Sequence, residues 1–442
     1  MELTSSSVYS STNCWNLNFS VPYVDNNNRY NRNYVRAVRG FILVMAFPLK
    51  FSVPLVDLVE ASKDCAKHKR STRACMQFNN DEMYNLLKLK QELETGTYRP
   101  GKSKCFVVKE PKPREVFASS YRDRVVQHLY LYYTRDIFTK FSIKNSYACI
   151  DGRGVLYGQK KLREMIRRAT HDYTREVLVA SLDIKSNFCS IDRNILLKNL
   201  EEFLISHYKG WNLNFILWLT KIIVSHNPTE NYELAGDPSD WEMLPYGKSL
   251  FDGDTGLPIG DITSQIFNNF LISIVDNYAV KDLGIEYYGR YVDDIKILEY
   301  SEESLKDHIV CLRRKLSDVG LNFNEKKVQI QRVRNGVDFI GSVVYPSCII
   351  CRPSTFNRFL HKYENSVLDD VSSINSSLGS LVHFDSYDKM CMIYNSLSDA
   401  SKNEYEIISS GQGNFKIAKV KASEEAQNLT KEMRSHTMLS LT

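Results

Sequence analysis

Gly-Arg-Tyr-Val-Asp-Asp-Ile-Lys-Ile-Leu, residues 289–298, places two adjacent carboxylates between apolar residues. The alternation of residue types around Asp293 and Asp294 is typical of a β-hairpin. Two ionised carboxylates this close repel each other, and burial adds to the cost unless a cation or a proton relieves it. The pair therefore predicts a metal site. A second Asp-Asp pair, at 369–370, lies in a polar stretch and is interpreted as a solvated helix face.

A third carboxylate follows a short apolar segment earlier in the chain. Residues 177–183, Val-Leu-Val-Ala-Ser-Leu-Asp, have the composition of a buried strand and end on Asp183. Such carboxylates are suitable ligands for two Mg²⁺ ions about 3.5–4 Å apart, the arrangement that catalyses phosphoryl transfer. We therefore expect Asp183, Asp293 and Asp294 to converge on one site.

With these two features the chain resembles the reverse transcriptases, whose palm carries an aspartate strand and a Tyr-x-Asp-Asp hairpin. The segments that carry the resemblance follow the family's order and cover most of the chain: 107–117, 121–128, 145–148, 152–154, 182–188, 256–265, 291–294, 320–327 and 338–341. The resemblance implies an α+β right-hand polymerase with fingers, a palm with an antiparallel sheet, and a helical thumb. It also implies RNA-directed DNA polymerase activity with two Mg²⁺ ions, or alternatively Mn²⁺.

The resemblance also suggests a division of the chain. Residues 1–56 are an extension of unknown role, 57–176 the fingers, 177–350 the palm, and 351–442 the helical thumb and C-terminal tail. Residues 226–255 are polar and contain Gly and Pro, so we expect a loop inserted in the palm beside the template path. Helices are expected at 86–93, along Ile266, Phe270 and Ile274, and from Phe356 to Val367.

The resemblance implies specific roles at the reaction centre. Asp183, Asp293, Asp294 and the backbone carbonyl of Ile184 would bind the metal ions. Lys327 would be a general acid near the departing pyrophosphate, because a nearby cation stabilises the charge that develops there. An ordinary surface lysine is the alternative interpretation of Lys327.

Further residues would bind the incoming nucleotide. Phe188 stands at the family's sugar gate, where an aromatic ring would clash with a ribose 2′-hydroxyl, so dNTPs should be preferred. The remaining nucleotide-binding residues implied are Lys109, Lys112, Arg114, Ile259, Gly260 and Gln265. Which of the two lysines reaches the triphosphate stays open. Glycines at 256 and 260 would let the backbone approach the templating base pair. Ile259 replaces the glutamine of retroviral enzymes. This replacement predicts either a lower fidelity of DNA synthesis or a simple packing role for Ile259.

Primer and template contacts are implied at the C-terminal side of the palm and in the thumb. The residues are Tyr291, Phe339, Gly341, Arg358 and Lys362. Basic stripes at 63–73 and 163–168 are further candidates for nucleic-acid contact, or else solvated helix faces, since the net charge of +5 is modest.

Composition fits an enzyme with real hydrophobic cores, because 43% of the residues are hydrophobic. The cysteines are scattered without the spacing of a disulfide framework, and Cys348 and Cys351 are interpreted as packing residues rather than zinc ligands. The apolar run at 41–49 is shorter than the ~20 residues of a membrane-spanning helix. We expect a buried strand or contact segment there, and no membrane association.

The segments at 67–70, 96–100, 113–118, 122–124, 248–251 and 256–260 most resemble bacterial defence-associated reverse transcriptases. That resemblance implies a noncoding RNA as template or scaffold, dNTPs as substrates, a DNA product and a location in the bacterial cytoplasm, with homo-oligomer formation left open. The alternatives are a diversity-generating retroelement reverse transcriptase, a protein-primed or untemplated DNA polymerase, a viral-type RNA polymerase, and a catalytically dispensable RNA-binding scaffold.

Overall fold

The computed structural model describes residues 13–18, 23–28, 50–109, 113–244, 253–364, 376, 379–381, 383–385, 387–396, 405–411 and 414–419. The helices are α1 Leu55–Ala66, α2 Arg73–Asn79, α3 Glu82–Glu94, α4 Tyr121–Phe141, α5 Val155–Ala169, α6 Asn187–Ser190, α7 Arg193–His207, α8 Leu213–Ser225, α9 Ile262–Asn277, α10 Glu302–Asp318, α11 Pro353–Glu364 and α12 Tyr387–Asn395. The strands are β1 Asn13–Asn18, β2 Tyr23–Asn28, β3 Ser103–Val108, β4 Arg114–Ala118, β5 Leu178–Asp183, β6 Tyr232–Leu234, β7 Tyr287–Tyr291, β8 Asp294–Glu299, β9 Gln329–Arg332, β10 Val337–Phe339, β11 Ser342–Val344, β12 Ile349–Cys351, β13 Tyr405–Gly411 and β14 Asn414–Lys419.

The chain forms two compact units. Unit 1 consists of Met1–Ile150, Asp183–Glu286 and His308–Lys326, and unit 2 of Asp151–Leu182, Tyr287–Asp307 and Lys327–Thr442. The predicted fingers, palm and thumb are each one continuous stretch of sequence. Each compact unit, in contrast, is made of three separate segments. The sequence-based boundaries therefore stay a prediction.

Unit 1 contains the hairpin expected near residues 107–117. β3 and β4 pair antiparallel from Lys104 opposite Ala118 to Val108 opposite Arg114. β6 adds a third strand, parallel to β3, with Ser103 opposite Tyr232. The expected loop at 226–255 thus contains a strand, and the side chains of β6 are all exposed. That exposure explains why the composition of this segment indicates a loop. Besides its backbone pairing, β6 contacts the hairpin through the rings of Tyr232 and Phe117, 5.6 Å apart, and through the Glu233–Lys104 ion pair at 3.3 Å.

The helices of unit 1 pack around aromatic side chains. Phe138 of α4 stacks on Phe203 of α7 with ring centroids 5.5 Å apart, and Phe203 lies 4.8 Å from Phe270 of α9. Helix α9 confirms the helix expected from Ile266, Phe270 and Ile274. Helix α3 confirms the one expected at 86–93. Rings of this size supply much of the apolar area that a core needs.

Unit 2 contains a four-stranded sheet with the order β7-β8-β5-β9, except that Asp183 at the end of β5 belongs to unit 1. β7 and β8 form an antiparallel hairpin, and β5 pairs antiparallel with β9 from Leu178 opposite Arg332 to Ser181 opposite Gln329. The expected strand ending on Asp183 and the expected aspartate hairpin are therefore both present, and they are neighbours in one sheet.

The C-terminal part of unit 2 begins with a second sheet, β10-β11-β12, followed by α11. A buried cluster joins β12, α11 and α12 through Cys351, Phe356, Leu381, Met390 and Ile393. Cys351 is a buried thiol of this cluster, as expected for a packing residue, whereas Cys348 is half-buried and its role stays a prediction. The Asp-Asp pair at 369–370, the apolar run at 41–49 and Lys112 lie outside the described residues.

Within the described residues, no helix combines the length and the apolar composition that spanning a membrane would require.

Candidate active site

The aspartate pair lies in the tight turn of the β7–β8 hairpin. Tyr291 pairs with Asp294, which leaves Val292 and Asp293 as the two turn residues. Val292 has φ +54°, a conformation that β-branched residues rarely adopt. The side chain of Arg290 is fully buried, and its Nη1 donates a hydrogen bond to the Val292 carbonyl at 2.8 Å. A buried cation therefore holds the turn in this strained shape.

A second buried cation lies beside Asp294 itself. Lys296 follows by two residues on β8, so both side chains project from the same face of the strand. The Lys296 Nζ is 2.7 Å from Asp294 Oδ1, and Lys296 is only 4% exposed. The same ammonium lies over the ring of Phe339, 5.7 Å from its centroid. Phe339 is fully buried, so it supports Lys296 from beneath.

The electrostatics of Asp294 favour a bound cation. Burial raises its pKa from 3.8 to about 6, Lys296 lowers it, and the charges of Asp293 and Asp338 raise it. A carboxylate in this setting gains from any further positive charge. Oxygen ligands of this type suit Mg²⁺ or Mn²⁺. The chemistry of the donors therefore fits a divalent ion, although no group of three or more His, Cys, Asp or Glu side chains among the described residues is already arranged as a metal cage.

Asp183 ends β5, the strand next to β8 in the sheet. Asn324 fixes it twice, because the Asn324 backbone N–H donates to the Asp183 carbonyl at 2.7 Å and its Nδ2 lies 3.4 Å from Asp183 Oδ2. The next residue, Ile184, is buried and forms an antiparallel bridge with Phe323. The predicted segment at 320–327 thus acts as a support for the end of the aspartate strand.

Lys327, the candidate general acid, is exposed in the short turn Glu325–Lys327. It stands two residues before β9, whose first residue Gln329 pairs with Ser181, two residues before Asp183. Lys327 therefore lies just before β9, the strand that borders β5.

The residues predicted to face the nucleotide belong to unit 1. Phe188 is half-buried in α6, and its carbonyl accepts a hydrogen bond from the backbone N–H of Leu257 at 2.9 Å. Gly256 donates in the same way to Ile191 at 2.9 Å, with φ +100°, which glycine tolerates. The sugar-gate candidate is therefore held against the segment at 256–265 by backbone contacts.

Gly260 makes a close contact that only glycine permits. A Cβ at this position would lie 2.5 Å from the carbonyl oxygen of Phe117, so the backbone of β4 is the neighbour that excludes a side chain. Asp261, the next residue, accepts a hydrogen bond from Ser119 Oγ at 2.6 Å. Burial raises the Asp261 pKa to about 6, and the Ser119 hydroxyl lowers it. Asp261 was not among the predicted residues, and its only sequence signal is an acid directly after Gly260 at the start of a helix.

The fingertip residues are partly engaged with other side chains. Arg114 is exposed at the start of β4, and its charge lowers the pKa of Cys189, which burial raises. Because Cys189 follows Phe188, Arg114 lies near the sugar-gate candidate. Lys109 is also exposed and forms an ion pair with Asp240 at 2.7 Å. Ile259 is half-buried and Gln265 is exposed.

Comparison with known proteins identifies the family. Residues 109–344, more than half of the 442-residue chain, match the family described as reverse transcriptase (RNA-dependent DNA polymerase). The chain belongs to the reverse transcriptase family. It is therefore an RNA-directed DNA polymerase of the α+β right-hand polymerase class.

A search of curated proteins gives no match. Among solved structures, the chain is similar to telomerase from Candida albicans in complex with the TWJ fragment of telomeric RNA. The identity is 10%, the match covers 81% of this chain and 72% of that chain, and the TM-score is 0.39.

The predicted primer and template residues of this reverse transcriptase differ in their accessibility. Tyr291 is half-buried at the end of β7, and Arg358 is exposed on α11. Gly341 has φ +77°, and its carbonyl accepts a hydrogen bond from the Arg352 backbone at 3.0 Å. Lys362 lies in α11, and its side chain is outside the described residues. The Phe339 ring is fully buried, so it is not accessible to nucleic acid in this structure. Its contact is with the Lys296 ammonium instead.

Several cations of the two basic stripes are occupied by the protein itself. Lys63 pairs with Glu60 and Lys67 with Asp64, each at 2.8 Å. Arg163 Nε donates to the Pro346 carbonyl at 3.2 Å. These contacts assign part of each stripe to the fold of the reverse transcriptase.

Proposed function

We propose that this reverse transcriptase copies an associated noncoding RNA into DNA in the bacterial cytoplasm as part of defence against phage. The observation that supports the polymerase step is the aspartate hairpin on β7–β8, beside the strand that ends on Asp183. The support for the defence role is the resemblance of the segments at 67–70, 96–100, 113–118, 122–124, 248–251 and 256–260.

In the proposed mechanism Asp183, Asp293, Asp294 and the Ile184 carbonyl would hold two Mg²⁺ ions, or Mn²⁺. Ions bound there would supply positive charge that favours deprotonation of the primer 3′-hydroxyl and neutralises the departing pyrophosphate. The chain's own groups do the positioning. Arg290 and Lys296 keep the hairpin carboxylates in place, and Lys327 donates a proton to the pyrophosphate as the bond to the α-phosphate breaks.

Nucleotide selection is assigned to unit 1. The ring of Phe188 would exclude the 2′-hydroxyl of an NTP, and Arg114 with Lys109 or Lys112 would bind the triphosphate by charge-assisted hydrogen bonds. Ile259, Gly260 and Gln265 would line the nucleotide. The Lys109 ammonium would first have to leave Asp240, which lies 2.7 Å away. Primer and template would contact Tyr291, Gly341, Arg358 and Lys362.

One experiment tests substrate and role together. The chain is expressed with its native flanking DNA, and the RNA that copurifies and the DNA that accumulates are both sequenced, with and without phage. We expect one dominant RNA and a DNA complementary to it. In the Asp293→Ala, Asp294→Ala variant the complementary DNA should be lost, so that no template–product pair remains.

Other outcomes identify the alternatives. DNA that remains attached to protein after nuclease treatment identifies protein priming, and DNA without a complementary RNA identifies untemplated synthesis. Incorporation of NTPs in place of dNTPs identifies an RNA polymerase. Full phage protection by the double variant identifies a scaffold.

A further inference from the structure

A cleft in unit 1 is not used by the proposed mechanism. It has a volume of about 480 Å³ and is lined by Arg99, Trp218, Lys221, Ser225, His226 and Glu230, among others. We name it the Trp218 cleft. Its volume falls in the range of roughly 300–1,000 Å³ that is typical of small-molecule sites. The space is therefore large enough for one nucleotide.

Helix α8 explains why these residues share one surface. Phe215, Ile216, Leu219 and Val224 are buried and form the core face of the helix. Trp218, Lys221 and Ser225 follow at spacings of three and four residues, so they form a separate ridge along the cleft. The Trp218 ring is held by Phe51, with ring centroids 5.0 Å apart. An indole that packs on Phe51 and also lines a cleft is suited to stacking with a flat ligand such as a base.

The charges around the cleft match the parts of a ribonucleotide. Arg99 and Lys221 are exposed cations, and within the described part of the chain Lys221 has no ion-pair or hydrogen-bond partner. Such cations bind phosphate groups. Glu230 is an exposed acceptor on the same rim, and it can accept hydrogen bonds from ribose hydroxyls.

One residue of the cleft lining carries a buried polar atom without a partner. The Nε2 atom of His226 is buried and has no hydrogen-bond partner among the described residues. Buried polar atoms are nearly always hydrogen-bonded, so an exception needs an explanation. Burial lowers the pKa of His226, so its ring is neutral near pH 7. The loop that carries it is held in shape, because Asn227 Oδ1 accepts hydrogen bonds from the Thr229 N–H at 3.1 Å and hydroxyl at 2.8 Å.

We propose that the Trp218 cleft binds one nucleotide of single-stranded RNA, with the base stacked on Trp218, the phosphate at Arg99 and Lys221, and the 2′-hydroxyl at Glu230. Aromatic stacking combined with cations is the usual means of binding single strands, and the 2′-hydroxyl distinguishes RNA from DNA. The inference rests on the proposed RNA partner. It adds a site outside the nucleotide-binding residues of the polymerase reaction.

Binding of a fluorescent twelve-nucleotide RNA to the full-length protein, followed by anisotropy, tests the proposal. Stacking of one base on an aromatic ring typically strengthens binding about tenfold or more, so we expect Trp218→Ala to weaken binding about tenfold and Trp218→Phe to restore most of it. Trp211→Ala is the matched control, since Trp211 is 67% exposed and does not line the cleft. Equal affinities of the Trp218→Ala and Trp211→Ala variants would overturn the proposal.

Two further variants avoid the risk that Trp218→Ala disturbs the core. Lys221→Gln should weaken RNA binding severalfold and reduce its salt dependence, whereas Lys209→Gln should not. Glu230→Gln should reduce the preference for RNA over DNA of the same sequence. An unchanged preference together with unchanged affinity of Lys221→Gln would reject the site even if Trp218→Ala failed to fold.

Cross-linking separates this inference from the proposed function. RNA that contains 4-thiouridine is irradiated on the protein, and the attached peptides are identified by mass spectrometry, while DNA synthesis is measured separately on a primed homopolymer. We expect cross-links within residues 213–230. Cross-links confined to other segments would contradict the site even in an active polymerase, and cross-links here without DNA synthesis would support the site while the polymerase proposal failed.

Discussion

The aspartate hairpin at 287–299 and the segment at 256–265 each carry a buried aspartate, yet they hold it differently. Burial raises both pKa values from 3.8 to about 6. Asp294 has the Lys296 ammonium beside it and keeps 29% of its side chain exposed. Asp261 is 4% exposed and is bound by the neutral hydroxyl of Ser119. Asp261 therefore fastens two segments of unit 1, whereas Asp294 keeps an accessible oxygen for a cation.

The strongest test of this contrast removes the hairpin carboxylates. Asp293→Asn with Asp294→Asn should reduce primed DNA synthesis by about a thousandfold, because loss of metal ligands removes several kcal/mol of transition-state stabilisation. Asp369→Asn with Asp370→Asn is the matched control and should keep nearly full activity. Synthesis by the hairpin variant at more than a tenth of the normal rate would contradict the assignment.

The next test removes the cation beside Asp294. Lys296→Met should lower the free energy of unfolding by about 3 kcal/mol, at the low end for a broken buried ion pair because part of Asp294 is exposed. Mn²⁺ should recover more stability in this variant than in the natural protein, as measured by urea unfolding. Lys306→Met is the control, since the Lys306–Glu302 pair at 2.8 Å is exposed and should contribute less than about 1 kcal/mol.

Equal destabilisation by Lys296→Met and Lys306→Met would show that the hairpin does not depend on its buried cation. Lys296→Arg offers a second check, since it keeps the charge while changing the fit over Phe339. It should retain more stability than Lys296→Met.

In the segment at 256–265, Gly260→Ala should disturb the contact with β4. The new Cβ would lie 2.5 Å from the Phe117 carbonyl oxygen, so the segment must shift, at a cost of about 2 kcal/mol. We expect a lower melting temperature and a raised KM for dNTPs. Gly154→Ala is the control, because a Cβ there meets no atom within 4 Å. An unchanged KM would separate this contact from nucleotide binding.

The smallest effect concerns the protonation of Asp261. Its pKa is 3.8 in the unfolded chain and about 6 in the folded protein, so the folded state binds the proton more tightly. The resulting stabilisation is complete below pH 3.8 and is lost as the pH rises through about 6. Asp261→Asn removes this linkage, so its stability relative to the natural protein should rise by roughly 1–2 kcal/mol from pH 5 to pH 7.5. Urea unfolding at both pH values measures this, and a constant difference would refute it.

The sequence was sufficient for elements that depend on local patterns. The alternation around Asp293 predicted the hairpin, the apolar run before Asp183 predicted β5, and four-residue spacing predicted α9. Each of these patterns lies within a few consecutive residues, and each is set by which faces of one element are buried.

Contacts between distant segments could not be predicted in the same way. In the sequence Lys296 is one polar residue within a strand, and only the fold brings it over Phe339. Gly260 is expected to approach a base pair, and the fold also brings it against the Phe117 carbonyl. Asp261 gained its partner from Ser119. These contacts depend on which elements become neighbours, and no local pattern records that.

The parallel strand β6 covers one border of the β3–β4 hairpin. Without Tyr232–Leu234, the backbone of β3 would lie at the border of its sheet, with donors and acceptors open to strands of other chains. Such borders promote aggregation. With β6 present, that border is a strand of only three residues, which offers a shorter template for pairing than β3 would, and a variant without Tyr232–Leu234 would expose the longer strand.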